Sequence, residues 1–112
     1  MTTREKQSLF ARLVAELIVQ ASAEGYDVTF GEAYRSPEEA ARLAKLGVGI
    51  RRSLHCDRLA IDLNLFKDGK YLQQTEQYRA LGEWWEARHE LCRWGGRFND
   101  GNHFSLEHEG RA

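Results

Sequence analysis

Two short segments concentrate groups that bind metal or move protons: Ser53-Leu54-His55-Cys56-Asp57-Arg58-Leu59-Ala60-Ile61-Asp62 and Asp100-Gly101-Asn102-His103. Together they supply imidazoles at His55 and His103 and carboxylates at Asp62 and Asp100, the inventory of a catalytic zinc site. Such a site typically takes three protein ligands from His, Asp, Glu or Cys and keeps a further position open for water. His55, Asp62 and His103 could fill that shell, leaving Asp100 free to act as a base. Cys56 adjoins His55, and a Cys–His pair can form a nucleophile or bind zinc. Neighbouring side chains on extended backbone point apart, however, so Cys56 reads as a small buried thiol.

Positioning these groups falls to a short series of elements. Leu9, Leu13, Leu17 and Ala21 recur at helical spacing beside Phe10, Val14 and Ile18, so 4–23 reads as an amphipathic helix ending near Gly25. Residues 26–34 read as a strand. Ser36-Pro37-Glu38-Glu39 has the form of a capping box with proline at the first helical position, opening a helix that runs to about Leu46 and stops at Gly47. A loop over 47–53 leads to a strand over 59–66, with Ile61, Leu63 and Leu65 on one side and Ala60, Asp62 and Asn64 on the other. Asp is depleted in strands and costly beside a core unless paired or bound to metal, which singles out Asp62.

Lys67-Asp68-Gly69-Lys70 reads as a turn, and 75–90 as a helix packing Tyr78, Leu81, Trp84 and Trp85. Strands over 91–97 and 103–107 then flank the Asn99-Asp100-Gly101-Asn102 turn. Residues three apart across a turn have Cα atoms within about 7 Å, so Asp100 lies close enough to His103 to reach a water at that residue. Along the last strand His103, Ser105 and Glu107 share a face that is expected to be open, while Phe104 and Leu106 pack. Trp84, Trp85 and Trp94 read as core aromatics, with Trp94 also a candidate for the cleft rim. Two or three helices with a small, mostly antiparallel sheet make an α+β domain spanning 1–112.

Ser53-x-His55, Asp62, Trp94-Gly95-Gly96 and Asp100-x-x-His103-Phe104, in that order, resemble zinc peptidases that cut peptidoglycan peptides. These are the D-alanyl-D-alanine carboxypeptidases and L-alanyl-D-glutamate endopeptidases, small bacteriophage endolysins among them, which share a fold with the hedgehog signalling domain. The resemblance runs from about Glu32 to Leu106 and implies one Zn2+ ion on His55, Asp62 and His103, with Asp100 as base. The Tyr34-Arg35-Ser36 stretch is similar to one whose arginine reaches the active site in that family, which implies a catalytic Arg35. Ser53 matches the family serine that holds substrate or the first histidine. The family often carries Gly where this chain has Arg58, so the backbone path of that loop is the point of departure.

The substrate implied is the peptidoglycan stem peptide, with the L-alanyl-D-glutamate bond favoured over the D-alanyl-D-alanine bond. Stem peptides carry free carboxylates, and Arg51, Arg52 and Arg58 cluster around His55, so one or more of them is expected to bind a substrate carboxylate. Two readings from other classes stand beside this one: a zinc-bearing binding module of the same fold without hydrolysis, and a metal-free domain whose polar cluster is structural.

Composition agrees with a small enzyme. The chain has 112 residues, 29% charged and 42% hydrophobic, with one proline, which places it outside the disordered class and allows one domain. The formal net charge of -1 with scattered basic residues argues against a nucleic-acid groove. Arg12 and Glu16 interrupt the apolar residues near the N-terminus, so neither an export signal nor a membrane span is expected. A monomer, cytoplasmic as made, would then need a separate pore-forming protein to reach the wall. Cys56 and Cys92 are read as reduced thiols, with a disulfide left open.

Overall fold

The computed structural model describes residues 1–50 and 52–112. Its first helix, α1 (Thr3–Ala23), starts where the Thr2 hydroxyl accepts from the Glu5 N–H and the Glu5 carboxylate accepts from the Thr2 N–H. The buried stripe Phe10, Leu13, Val14, Leu17 and Ala21 gives this helix its apolar side. Strand β1 (Asp27–Phe30) is shorter than the 26–34 expected. Beyond Phe30 the ladder is irregular: the Gly31 N–H donates to Asp62 O (2.8 Å), and the Asp62 N–H donates to Glu32 O (2.9 Å).

Helix α2 (Pro37–Lys45) begins at Ser36, whose hydroxyl accepts from the Glu39 N–H at 3.0 Å. Only this half of the expected capping box forms, because the Glu39 carboxylate is taken by Arg42. The central strand β2 (Ala60–Lys67) buries Ile61, Leu63 and Leu65 as its alternation requires. It turns through Asp68 and Gly69, both at positive φ, into β3 (Lys70–Tyr71). The helix expected over 75–90 is divided into a 3-10 turn, Thr75–Tyr78, and α3 (Arg79–Arg88).

Strands β4 (Cys92–Trp94) and β5 (His103–Leu106) complete an antiparallel sheet of order β1-β2-β5-β4, with β3 pairing on β2. The strand expected over 91–97 ends at Trp94, and Gly95–Phe98 coils into a 3-10 turn. The reason is a close approach. A Cβ at Gly95 would lie 2.3 Å from Asp100 O and 2.8 Å from His103 Cβ, so only glycine lets this turn sit against the start of β5.

The core gathers α1, α3 and one face of the sheet, with Trp85 edge-on to both Phe10 and Phe104. Trp94 is buried here, not at the cleft rim, and its indole N–H donates to Gly101 O at 2.7 Å. The core thereby grips the turn that carries Asp100. Gly82 on α3 faces this indole, and a Cβ there would stand 2.1 Å from Trp94 Cδ2. In a helix, Gly→Ala ordinarily gains about 1 kcal/mol. Here the rigid ring cannot swing aside without losing Gly101, so Gly82→Ala is expected to destabilise by about 1–3 kcal/mol, the usual cost of overpacking. Urea unfolding measures this, and a variant as stable as the parent would mean that Trp94 is not locked. Among the described residues no helix is long and apolar enough to cross a membrane.

Candidate metal centre

Asp62 and His103 are register partners across β2 and β5, so their side chains stand side by side on the sheet face opposite Ile61, Leu63 and Phe104. That face is open only at their end of it, since Ala60 and Ser105 on the same side are fully buried. The expectation of an open face along the whole last strand therefore fails at Ser105. The segment that brings His55 to Asp62 lies over this face. It is a 3-10 turn, Leu54–Asp57, and not the extended backbone assumed for Cys56.

Ser53 caps this turn: its hydroxyl accepts from the His55 N–H at 3.1 Å. The turn closes at Arg58 with φ 56° and ψ 36°, the left-handed conformation that glycine adopts most easily. The loop thus keeps the path that a glycine would give it. The Arg58 guanidinium lies 4.1 Å above the Tyr34 ring, a stacking contact that offsets part of the backbone cost.

Three ligand-type groups converge. His55 Nε2 lies 3.4 Å from Asp62 Oδ1, and His103 Nδ1 lies 3.6 Å from the same oxygen. Ligand atoms of the three residues all lie within 4.8 Å of one another. These separations exceed the roughly 2.7–3.2 Å of good hydrogen bonds. The two separations from Asp62 are close to the spacing of about 3.3–3.4 Å that tetrahedral bonds of about 2.0–2.1 Å impose on neighbouring ligands. Two imidazoles and a carboxylate, held too far apart to bond each other and near enough to share an ion, fit a zinc.

Burial alone would raise the Asp62 pKa, but the His103 and His55 imidazoles facing it outweigh that and bring it down to about 2. The sign for stability follows. A carboxylate whose folded pKa lies below its ordinary value of 3.8 contributes stability above that value and loses it as pH falls toward the folded one. In chelator-treated protein the parent is therefore expected to lose stability more steeply than Asp62→Asn between about pH 4 and about pH 2. Denaturant midpoints across that window check this, and parallel curves for the two proteins would contradict it.

Asp100 stands half-exposed across from the three, its Oδ2 3.9 Å from His103 Nδ1. Its backbone is fixed by the Asp100 N–H donating to Gly95 O (3.0 Å) and by Asp100 O accepting from the His103 N–H (3.1 Å). Partial burial and the nearby Asp62 charge raise its pKa against the pull of His103. A raised carboxylate is a stronger proton acceptor.

His55, Asp62, His103, Asp100, Ser53, Arg35 and Arg52 all line one cleft of about 450 Å³. Exposed Val48, Ile50 and Phe98 give its mouth an apolar rim. Arg58, on Tyr34, is not among the cleft residues, and Arg51 lies outside the described residues. Arg52 is largely exposed, with its nearest carboxylate, Glu109, at 3.7 Å. Cys56 does not line the cleft and its thiol lies 3.9 Å from Ser36 O. Burial pushes the Cys92 thiol up to about 12, and both cysteines are free.

Sequence reasoning missed three neighbours of this site. Arg111 lines the cleft and ties Asp57 (2.8 Å) to the Arg52 carbonyl (3.1 Å), bracketing the His55 turn. Phe98 rims the cleft. Glu32 accepts from Arg35 Nε at 2.8 Å and faces His55 Nδ1. Nothing in local spacing marks any of them, since each acts on residues distant in the chain or pairs through an irregular loop.

A family model described as D-alanyl-D-alanine carboxypeptidase matches residues 47–106. Among solved structures, that of the Serratia marcescens L-Ala D-Glu endopeptidase ChiX is similar to this chain with a TM-score of 0.70 and 22% sequence identity. The match covers 87% of this chain and 79% of that one, and at this identity it establishes a shared fold. No curated protein matches.

Proposed function

Because the chain belongs to the D-alanyl-D-alanine carboxypeptidase family, matched over the residues that carry His55, Asp62, Asp100 and His103, we propose that it is a zinc-dependent peptidase of peptidoglycan stem peptides acting as an L-alanyl-D-glutamate endopeptidase. The observation that carries this reading is the convergence of His55, Asp62 and His103 on one point, with Asp100 opposite, in a single cleft. His55, Asp62 and His103 would hold the ion. When bound, zinc supplies Lewis acidity, polarising a carbonyl and bringing the pKa of water down to about 7.

The protein's own groups do the rest. Asp100 takes the proton from the attacking water and passes it to the leaving amine, so one carboxylate serves as base and then as acid. Arg35, held at the cleft wall by Glu32, offers a cation to the oxygen that becomes negative as the carbonyl is attacked. Ser53 fixes the turn that presents His55. Of the three arginines expected to meet a substrate carboxylate, Arg52 lines the cleft, exposed and with Glu109 at 3.7 Å, and takes that role at the mouth, where the contact is screened by salt.

The choice of bond follows the likeness to an L-Ala D-Glu endopeptidase. The description of the matching family favours a second reading, removal of terminal D-alanine. Mass spectrometry of digested peptidoglycan separates them. New peptides beginning with D-glutamate support the endopeptidase, release of free D-alanine supports the carboxypeptidase, and unchanged fragments from zinc-loaded protein reject both.

A further inference from the structure

Glu32 lies outside the matched residues 47–106, yet it touches both halves of the site. Its Oε1 accepts from Arg35 through Nη2 at 2.6 Å and Nε at 2.8 Å. The same oxygen lies 3.6 Å from His55 Nδ1, a buried nitrogen with no hydrogen-bond partner among the described residues. The other ring nitrogen, Nε2, is the one turned toward Asp62. Three backbone bonds lock this arrangement: Gly31 N–H to Asp62 O (2.8 Å), Asp62 N–H to Glu32 O (2.9 Å), and Arg35 N–H to His55 O (3.2 Å). Gly31 is required for the approach, because a Cβ there would lie 2.9 Å from Asp62 Cβ.

We infer that Glu32 is a positioning residue, which orients His55 from behind as a metal ligand and holds Arg35 against the cleft with the same carboxylate oxygen. A neutral imidazole carries one proton, and whichever ring nitrogen lacks it is the one that binds metal. The Glu32 carboxylate faces Nδ1 at 3.6 Å, so it favours the tautomer with the proton on Nδ1 and the lone pair on Nε2, facing Asp62. Carboxylates behind ligating histidines act in this way generally, and their loss weakens metal binding by about 10- to 100-fold. The Arg35 pair keeps Glu32 in place. Through it, the residue that would meet the developing oxyanion and the residue that would hold the metal share one support.

This inference rests on the zinc reading above, and the test separates the two. Zinc affinity is measured on the full chain by competition with a chromogenic chelator, for the parent, Glu32→Ala, Glu32→Gln and His103→Ala. Glu32→Ala is expected to weaken zinc binding about 10- to 100-fold. Glu32→Gln, which fills the same space without charge, is expected to show a smaller loss in the same direction. A purely structural role would instead lower the melting temperature of the chelated variants and leave the zinc Kd unmoved. Parent-like Kd values in both Glu32 variants, with His103→Ala impaired, would overturn the role of Glu32 alone. Should Glu32→Ala fail to fold, an unchanged Kd in Glu32→Gln is sufficient to overturn it. If the parent itself takes up no zinc, the metal reading fails and this inference with it.

Discussion

Asp100→Asn is expected to lower kcat by about 10²- to 10⁴-fold, the usual size of a lost general base, while zinc content stays at the parental level. The separation follows from how the residue is held. Its position depends on main-chain bonds to Gly95 and His103 and on the Trp94 indole gripping the Gly101 carbonyl, none of which uses the Asp100 carboxylate. The side chain is half-exposed and 3.9 Å from His103 Nδ1, so the amide fits the same space. What the substitution removes is the proton acceptor. Turnover is measured on a defined stem peptide with zinc quantified on the same sample. Near-parental turnover would move the base away from Asp100, and Glu107, the next carboxylate in sequence, does not line the cleft and instead accepts from the Gly110 N–H.

The contrast between Asp62 and Glu32 shows what a sequence reveals of such a site. Asp62 interrupts a strand whose alternate residues Ile61, Leu63 and Leu65 are buried, so period two alone placed it off the core and marked it as a costly charge. Helix α1 and the cap at Ser36 were legible for the same reason, because periodicity and capping are local. Glu32 carries no such mark. It stands in an irregular stretch just after β1, and its importance comes from contacts with residues that only the fold brings near. The Gly95–Phe98 turn was not legible because its cause is a steric approach to Asp100 and His103, while Cys92 to Trp94 does form a strand and local pattern gives no reason for it to stop there. Arg58 was legible as a departure, but its resolution needed the backbone angle and the Tyr34 ring. Site chemistry could be listed from residue types, while its geometry depended on a 3-10 turn, a strand register and a glycine contact.

Removal of metal is expected to lower the melting temperature of the parent by about 15–30 °C when the zinc-loaded form is held near 1,000 times its Kd. A ligand that binds only the native state at that ratio contributes about 4 kcal/mol, and each kcal/mol moves a domain of this size by roughly 4–8 °C. The effect is large because the three groups come from separate pieces of chain: His55 from the capped turn, Asp62 from β2 and His103 from β5. An ion on all three ties the Leu54–Asp57 turn directly to β2 and β5, adding to links such as the Arg35 N–H to His55 O bond at 3.2 Å and the Arg111–Asp57 pair at 2.8 Å. His103→Ala should melt near the chelated parent and gain little from added zinc, since two remaining ligands bind weakly. Differential scanning fluorimetry of both proteins, with chelator and with zinc restored, gives the four values needed. If chelation leaves the parent unchanged and zinc raises neither protein, then the 3.4 and 3.6 Å separations around Asp62 reflect a polar cluster and not a metal centre.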